Sequence, residues 1–387
     1  MKILLTTDWY TPAVNGVVTS VQNLRKGLED RGHELRILTL SRSSCSHIQN
    51  GVYYLRSMGV GAVYPKARLG VPLQKQIIKE LLSWRPDIVH SNCEFSTFPA
   101  ACYIAEKADA PLLHTYHTVY EHYTHYFSPS QAWAKKVVRR FSRWVSRRTD
   151  GIIAPTEKTA GLLCGYGVRC PLYVIPTGIG MPQGVSRAEA HRLRERIGIP
   201  DNHIVLLYLG RLAKEKNCAE LVRAMSLFRS APVSLLLVGA GPDRAHLEKL
   251  SHRLNLNGHV VFSGMVPPDQ VGRYYQLGDL FVSASTSETQ GLTYMEAMRA
   301  GLPLLCRQDA CLDGVVMQGS NGWQYTNENE FAACTEKFMQ HPDCRERMRK
   351  SASVTGQRFS IEAFAQAVEA AYLECLHLRF RKVQGSA

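Results

Sequence analysis

Glu288 and Glu296 stand on either side of Gly291-Leu292-Thr293, and this arrangement is the first in the chain that could do chemistry. A small polar loop, Ser285 to Gln290, follows an apolar strand, Leu280 to Ala284, and ends at Gly291, where a helix begins. The N–H groups of Leu292 and Thr293 would open that helix unpaired, and such a helix start attracts phosphate. The Glu-x7-Glu spacing is common by itself; the strand, loop, glycine and helix around it give it meaning. Two carboxylates flanking a phosphate cradle suit a ligand with hydroxyls on both sides of a phosphate group, which is the layout of a sugar nucleotide. Arg211 and Lys216 offer a second constellation, five residues apart after the strand Ile204–Leu209 and before a helix from about Cys218. They read either as partners for a diphosphate or as surface charge.

A third cluster lies between His114 and Tyr126, where four histidines and four tyrosines fall within 13 residues. It follows the buried strand Pro111–Thr115, and ligands of parallel sheets bind beyond the carboxyl ends of strands. A metal site, a surface on which a sugar stacks, and a capped polar loop all fit these residue types. Asn15-Gly16, before a helix from about Val17 to Arg31, is either a close approach of backbone to ligand or a tight turn.

The elements that must position these groups alternate strand and helix along the chain, which implies parallel sheets covered by helices on both faces. With 387 residues, 45% apolar and 20% charged, the chain reads as an ordinary globular protein of two domains. The expected division is a first domain over 1–176, a Pro/Gly-rich linker over 177–203, a second domain over 204–360 and a terminal segment over 361–387. The glycine turn Gly239-Ala240-Gly241-Pro242 lacks the third glycine of a dinucleotide fingerprint, which speaks against NAD.

A net charge of +13 favours an anionic partner. Eleven scattered cysteines, with no Cys-x2-Cys pair, fit neither a zinc site nor a disulfide framework and point to the cytoplasm. The opening Met1 to Asp8 is a strand rather than a signal peptide, and no apolar run is long enough to span a bilayer. From Gln131 to Arg148 the apolar residues Trp133, Ala134, Val137, Val138, Phe141, Trp144 and Val145 fall on one helical stripe. Lys135, Lys136, Arg139, Arg140, Arg143, Arg147 and Arg148 accompany them without a single acid. Such a helix either lies in the interface of an anionic membrane or packs its stripe on its own domain. Seven cations could also follow nucleic-acid phosphates, but no recognisable nucleic-acid module supports that.

The run Ser285 to Pro303 resembles the donor-binding segment of GT-B retaining glycosyltransferases of family 4. Ser-Glu-Thr-Gln-Gly-Leu-Thr, and the histidine-tyrosine run from His114 to Tyr126, are most similar to the bacterial diacylglycerol glucosyltransferases within it. Gly210-Arg211-Leu212-Ala213-Lys214-Glu215-Lys216-Asn217 resembles the segment whose Arg and Lys neutralise the leaving nucleotide. The resemblance covers nearly the whole chain, although Gly180 stands where family members commonly have Asp after Pro-Thr-Gly-Ile.

The resemblance implies a GT-B fold, α/β with two Rossmann-like domains, an interdomain active-site cleft, and a terminal helix from about 361 to 379 packed back on the first domain. It implies transfer of a hexose from a UDP-sugar to a lipid acceptor such as diacylglycerol. The alternatives are a phosphatidylinositol, polyprenyl-phosphate or soluble-sugar acceptor, or a binding module without turnover. Glu296 would hold ribose hydroxyls and Glu288 the sugar, while Arg211 and Lys216 would take the diphosphate. Gly16, Gly291, Leu292 and Thr293 would line the donor site, and His117 would lie beside the transferred sugar. Tyr116, Tyr120 and Tyr123 would face the acceptor, and Trp133, Lys135, Lys136, Arg139, Arg140, Arg143 and Trp144 the inner face of the membrane. No Asp-x-Asp occurs in the sequence, so neither a metal nor any other cofactor is expected.

Overall fold

The structure is a computed structural model that describes residues 1–43, 45–59, 68–70, 74–119, 131–181, 184 and 186–384. The chain divides into two compact units, Met1–Gly178 with Ile361–Ala387, and Ile179–Ser360.

The first unit runs β1 (Lys2–Thr6), α1 (Gly16–Asp30), β2 (Glu34–Leu40), β3 (His47–Gln49), β4 (Val52–Leu55), β5 (Ser57–Gly59) and β6 (Arg68–Gly70). It continues through α2 (Lys75–Trp84), β7 (Ile88–Ser91), α3 (Phe98–Ala108), β8 (Leu112–Thr115), α4 (Gln131–Ser146), β9 (Gly151–Ala154), α5 (Glu157–Gly165) and β10 (Leu172–Val174). Among the described residues the strands build an eight-stranded sheet in the order β10-β9-β8-β7-β1-β2-β4-β3, parallel except for β3.

The second unit runs α6 (Arg187–Arg196), β11 (Ile204–Leu209), α7 (Cys218–Ala224), β12 (Val233–Val238), α8 (Arg244–Arg253), β13 (Val260–Gly264), α9 (Val271–Tyr275) and β14 (Leu280–Ser283). There follow α10 (Leu292–Arg299), β15 (Leu304–Arg307), β16 (Gly322–Tyr325), α11 (Glu328–Gln340) and α12 (Pro342–Gln357). Its parallel sheet has the order β13-β12-β11-β14-β15-β16. Alternate residues of each central strand feed opposite cores, as the pleat requires. Leu206 and Val282 pack toward α7, whereas Leu207 and Phe281 pack toward α10.

The stretch expected as linker is not one. Ser186 and Glu189 form a capping box that starts α6, and Leu193 and Ile199 are buried in the second unit's core. Sequence reading gave weight to prolines and glycines and passed over the Ser-x-x-Glu signature that marks a helix start.

The last helix, α13 (Ile361–Gln384), completes the first unit. Phe364, Ala365, Val368 and Tyr372 join Ile3, Leu5, Val21 and Leu24 in one core. The Tyr372 hydroxyl lies 2.6 Å from His90 Nδ1 beneath the sheet, and Arg31 and His33 both meet Glu369. Contact with α1 is close enough that a Cβ at Gly27 would sit 2.7 Å from the Cβ of Ala365. Gly27→Val is therefore expected to overpack this seam at a cost of about 1–3 kcal/mol. Chemical denaturation measures it, and an unchanged midpoint would contradict the packing of α13 on α1.

Candidate active site

In the second unit the polar groups gather at the carboxyl ends of β11 and β14, which are neighbours in the sheet. Beyond β11 the chain passes Arg211 and enters a single 3-10 turn, Lys214–Lys216, which Asn217 ends in the left-handed conformation at φ 51°. Lys216 Nζ donates to Glu288 Oε1 at 2.5 Å, tying this loop to the one after β14. The Ser287 hydroxyl adds a second tie, donating to the carbonyl of Glu215 at 3.1 Å. Arg211 donates to Glu215, so each of the two cations holds a carboxylate.

The start of α10 is as open as its residues imply. Gly291, at φ 75°, occupies the cap position and no side chain caps the helix, so the N–H groups of Leu292 and Thr293 lead it. Only glycine fits there, because a Cβ would lie 2.4 Å from the ring of Tyr294. One turn further on, Glu296 Oε2 accepts a 2.6 Å bond from the hydroxyl of buried Tyr275. Burial pushes the Glu296 carboxyl above its ordinary range, and the Tyr275 bond pulls it part of the way back.

The loop after β12 packs its backbone against the Arg211 loop. Leu212 N donates to the carbonyl of Ala240 at 3.0 Å, and a Cβ on Gly239 would fall 1.9 Å from the carbonyl oxygen of Gly210.

In the first unit a buried polar cluster occupies the ends of β1, β7 and β8. The Asp8 carboxylate accepts from the N–H groups of Ser96 and Thr97 and from the Thr97 hydroxyl, and so satisfies the chain entering α3. His114 Nε2 lies 3.2 Å from Glu94 Oε1, with both residues buried. His117 Nε2 lies 3.0 Å from Asn92 Oδ1. Burial drives the His117 pKa down to about 4 and that of His90 to about 3, so both rings are neutral near pH 7. Gly16 begins α1 behind Asn15, whose side chain caps it by accepting from Val18 N at 3.0 Å.

Tyr116 does not face an acceptor. It is buried in a core with Val138 and Ile152, its hydroxyl 3.3 Å from that of Ser142. The alternation that turns His117 toward the strand ends turns Tyr116 into the fold. Tyr120 and Tyr123 lie outside the described residues. The expected stripe of α4 is divided: Ala134, Val138 and Val145 are buried, together with Ser142 and Ser146, whereas Trp133 is 61% exposed, Val137 45% and Trp144 37%. Phe141 stacks on both Trp144 and half-exposed Phe95, which forms an aromatic ridge on the surface. Lys135, Lys136, Arg139, Arg140 and Arg143 are all exposed on this helix. Arg139 and Arg143 reach the carbonyls of Gly165 and Tyr166, which leaves Lys136 and Arg140 without a partner among the described residues.

Sequence reading missed four groups that hold the candidates: Glu215, Tyr275, Asn92 and Glu94. Asn92 and Glu94 were findable, since they follow the end of a parallel strand. Tyr275, in a short helix remote in sequence from Glu296, gave no signal.

The Glycosyltransferase Family 4 profile matches residues 14–181, and the Glycosyl transferases group 1 profile matches residues 189–354. An alpha-monoglucosyldiacylglycerol synthase of Acholeplasma laidlawii is 30% identical over 99% of both chains. The chain belongs to glycosyltransferase family 4. Another protein of the same name, from Streptococcus pneumoniae, is 32% identical over 97% of this chain and 86% of its own length. Among solved structures, Anabaena HepE in complex with UDP and glucose superposes on this glycosyltransferase with a TM-score of 0.76 at 19% identity. It covers 97% of this chain and 100% of its own, which shows a shared GT-B fold.

The Gly239 approach gives this glycosyltransferase a sharp test. Its φ of 139° and the carbonyl against it exclude a side chain, so Gly239→Ala is expected to cost at least about 1–3 kcal/mol of stability. Urea unfolding reads this, and a neutral substitution would contradict the packing of the Arg211 loop.

Proposed function

We propose that this family 4 enzyme transfers glucose from UDP-glucose to a hydroxyl of a membrane lipid, diacylglycerol or its monoglucosylated product. The anomeric configuration is retained and no metal is required. One observation carries the reading: Lys216 meets Glu288 in the loop leading to the uncapped start of α10, so cation, carboxylate and unpaired N–H groups converge. Both relatives described above are named for synthesis of monoglucosyldiacylglycerol, and HepE was solved with UDP and glucose; these names support acceptor and donor.

In this reading the donor diphosphate replaces Glu215 and Glu288 as partner of Arg211 and Lys216. The ribose hydroxyls donate to Glu296, held by Tyr275, and Glu288, freed from Lys216, accepts from the sugar. The bond from C1 to the phosphate oxygen then breaks with its electron pair leaving on UDP. The acceptor hydroxyl joins the same face of C1 and gives its proton to the departing phosphate. Arg211, Lys216 and the N–H groups of Leu292 and Thr293 stabilise the developing charge, so a metal has no charge left to carry. Family resemblance assigns His117 and Gly16 to the substrate as well.

No helix is long and apolar enough to cross a membrane among the described residues. The acceptor is met instead by α4, whose exposed Trp133, Val137 and Trp144 enter the interface beside its cations, on the inner face of the cell membrane.

Transfer from labelled UDP-glucose to diacylglycerol in anionic vesicles, in EDTA, is expected to yield an α-glucosyl lipid, read by mass and anomeric NMR. UDP release into water without lipid product would redirect the search to other acceptors, and a β-linked product would refute retention. Glu288→Ala, Arg211→Ala and Lys216→Ala should each lower turnover by about 10²–10³ with folding intact; near-normal rates in the two cation variants would remove the diphosphate assignment. The double variant Lys136→Ser/Arg140→Ser should weaken vesicle binding by about 2 kcal/mol, roughly thirty-fold. Unchanged co-sedimentation would exclude α4 as the membrane contact.

A further inference from the structure

The reaction proposed above gives His117 a place beside the substrate, but the structure says more about which of its ring nitrogens is available. Asn92 follows the end of β7 and is 2% exposed. Its backbone N–H donates to the Thr6 carbonyl at 2.8 Å, which pins the residue to β1. Its side-chain Nδ2 lies 3.4 Å from the carbonyl oxygen of His90. A carbonyl only accepts, so the amide nitrogen must face it and Oδ1 must face His117. Oδ1 in turn only accepts, so the 3.0 Å contact requires a proton on His117 Nε2.

We infer that Asn92 is a positioning residue that fixes His117 in the Nε2–H tautomer, leaving the Nδ1 lone pair to accept a bond from a substrate hydroxyl.

The surroundings agree. The other titratable groups facing His117 are Glu94, His114 and His90. Glu94 is within reach of His114, and His90 is held between the hydroxyls of Tyr372 and Thr115 at 2.6 and 2.7 Å. None of these occupies His117 Nδ1, and no partner for it occurs among the described residues. Burial keeps the ring neutral down to about pH 4, so it holds one proton, and Asn92 has placed that proton. A neutral ring presenting a lone pair repels phosphate oxygens and welcomes a hydroxyl. The chemistry at this point therefore fits the sugar or the glycerol of the acceptor and not the diphosphate.

Because the inference rests on the transfer reaction proposed above, the test reads the tautomer without substrate. Histidine-labelled protein gives 15N shifts for the ring of His117, assigned by their loss in His117→Gln. The wild type should show the Nε2–H form at pH 7, and UDP-glucose or dispersed diacylglycerol should move the Nδ1 resonance. Asn92→Asp keeps the shape but places a carboxylate against Nε2. It should protonate both nitrogens near neutral pH, shift the acid limb of the rate profile upward, and lower turnover at pH 7 at least ten-fold with UDP affinity unchanged. Turnover is read both as lipid product and as UDP released from UDP-glucose, so the wrong lipid acceptor alone would leave the second readout intact. An Nδ1–H tautomer in the wild type overturns the inference. So does an Asn92→Asp protein that folds, carries a doubly protonated His117 and turns over at the wild-type rate.

Discussion

Where two neighbouring strands of a parallel sheet send their crossovers to opposite sides, the loops beyond them part and leave a crevice lined by backbone groups that no strand satisfies. Both units of this protein contain such a point: between β1 and β7 in one, between β11 and β14 in the other. At both, buried or half-buried side chains reach across the gap. Lys216 spans it to Glu288, and Asp8 spans it to Ser96 and Thr97. Everything assigned to chemistry in this enzyme sits on these two bridges or beside them. The hydrophobic layers above and below serve to keep the strand ends at fixed distance.

The bridges also settle the electrostatics before a ligand arrives. A cation in a crevice of reduced dielectric is costly alone, and Glu215 and Glu288 hold Arg211 and Lys216. Each of the two cations is thus neutralised by a carboxylate of the same unit, and neither loop carries bare charge at these positions. The first unit takes the other course. His90 is buried and His117 partly buried, their pKa values pushed down to about 3 and 4 by desolvation, so both rings are neutral near pH 7.

The α/β architecture, the open helix start at Gly291 and the cations at Arg211 and Lys216 were legible because each depends on residues close in sequence. The return of α13 to the first unit came from family resemblance, since nothing in its composition says where it packs. What could not be read are the contacts that join distant segments. Lys216 and Glu288 were both singled out, yet their bond joins loops that meet only because β11 pairs with β14. Tyr275 under Glu296, and Asn92 against His117, are of the same kind. Tyr116 went wrong for a subtler reason: in a loop leaving a buried strand, neighbouring residues still alternate between core and crevice. The stripe of α4 failed similarly, because a helix can bury Val138 and Val145 while leaving Trp133 and Trp144 out.

The order of the chain does not match the order in which its parts are completed. The second unit is one uninterrupted segment, Ile179–Ser360, whereas the first lacks Phe364, Ala365, Val368 and Tyr372 until α13 has been made. During synthesis the half that emerges first must therefore wait, with part of the face of β1 and β7 uncovered and His90 short of the Tyr372 hydroxyl, one of its two partners. The half that emerges second can close as soon as it leaves the ribosome. An enzyme built this way has its second unit in place before its first-made unit is whole, and a truncation before α13 would leave the core around Ile3, Leu5, Val21 and Leu24 without Phe364, Ala365, Val368 and Tyr372.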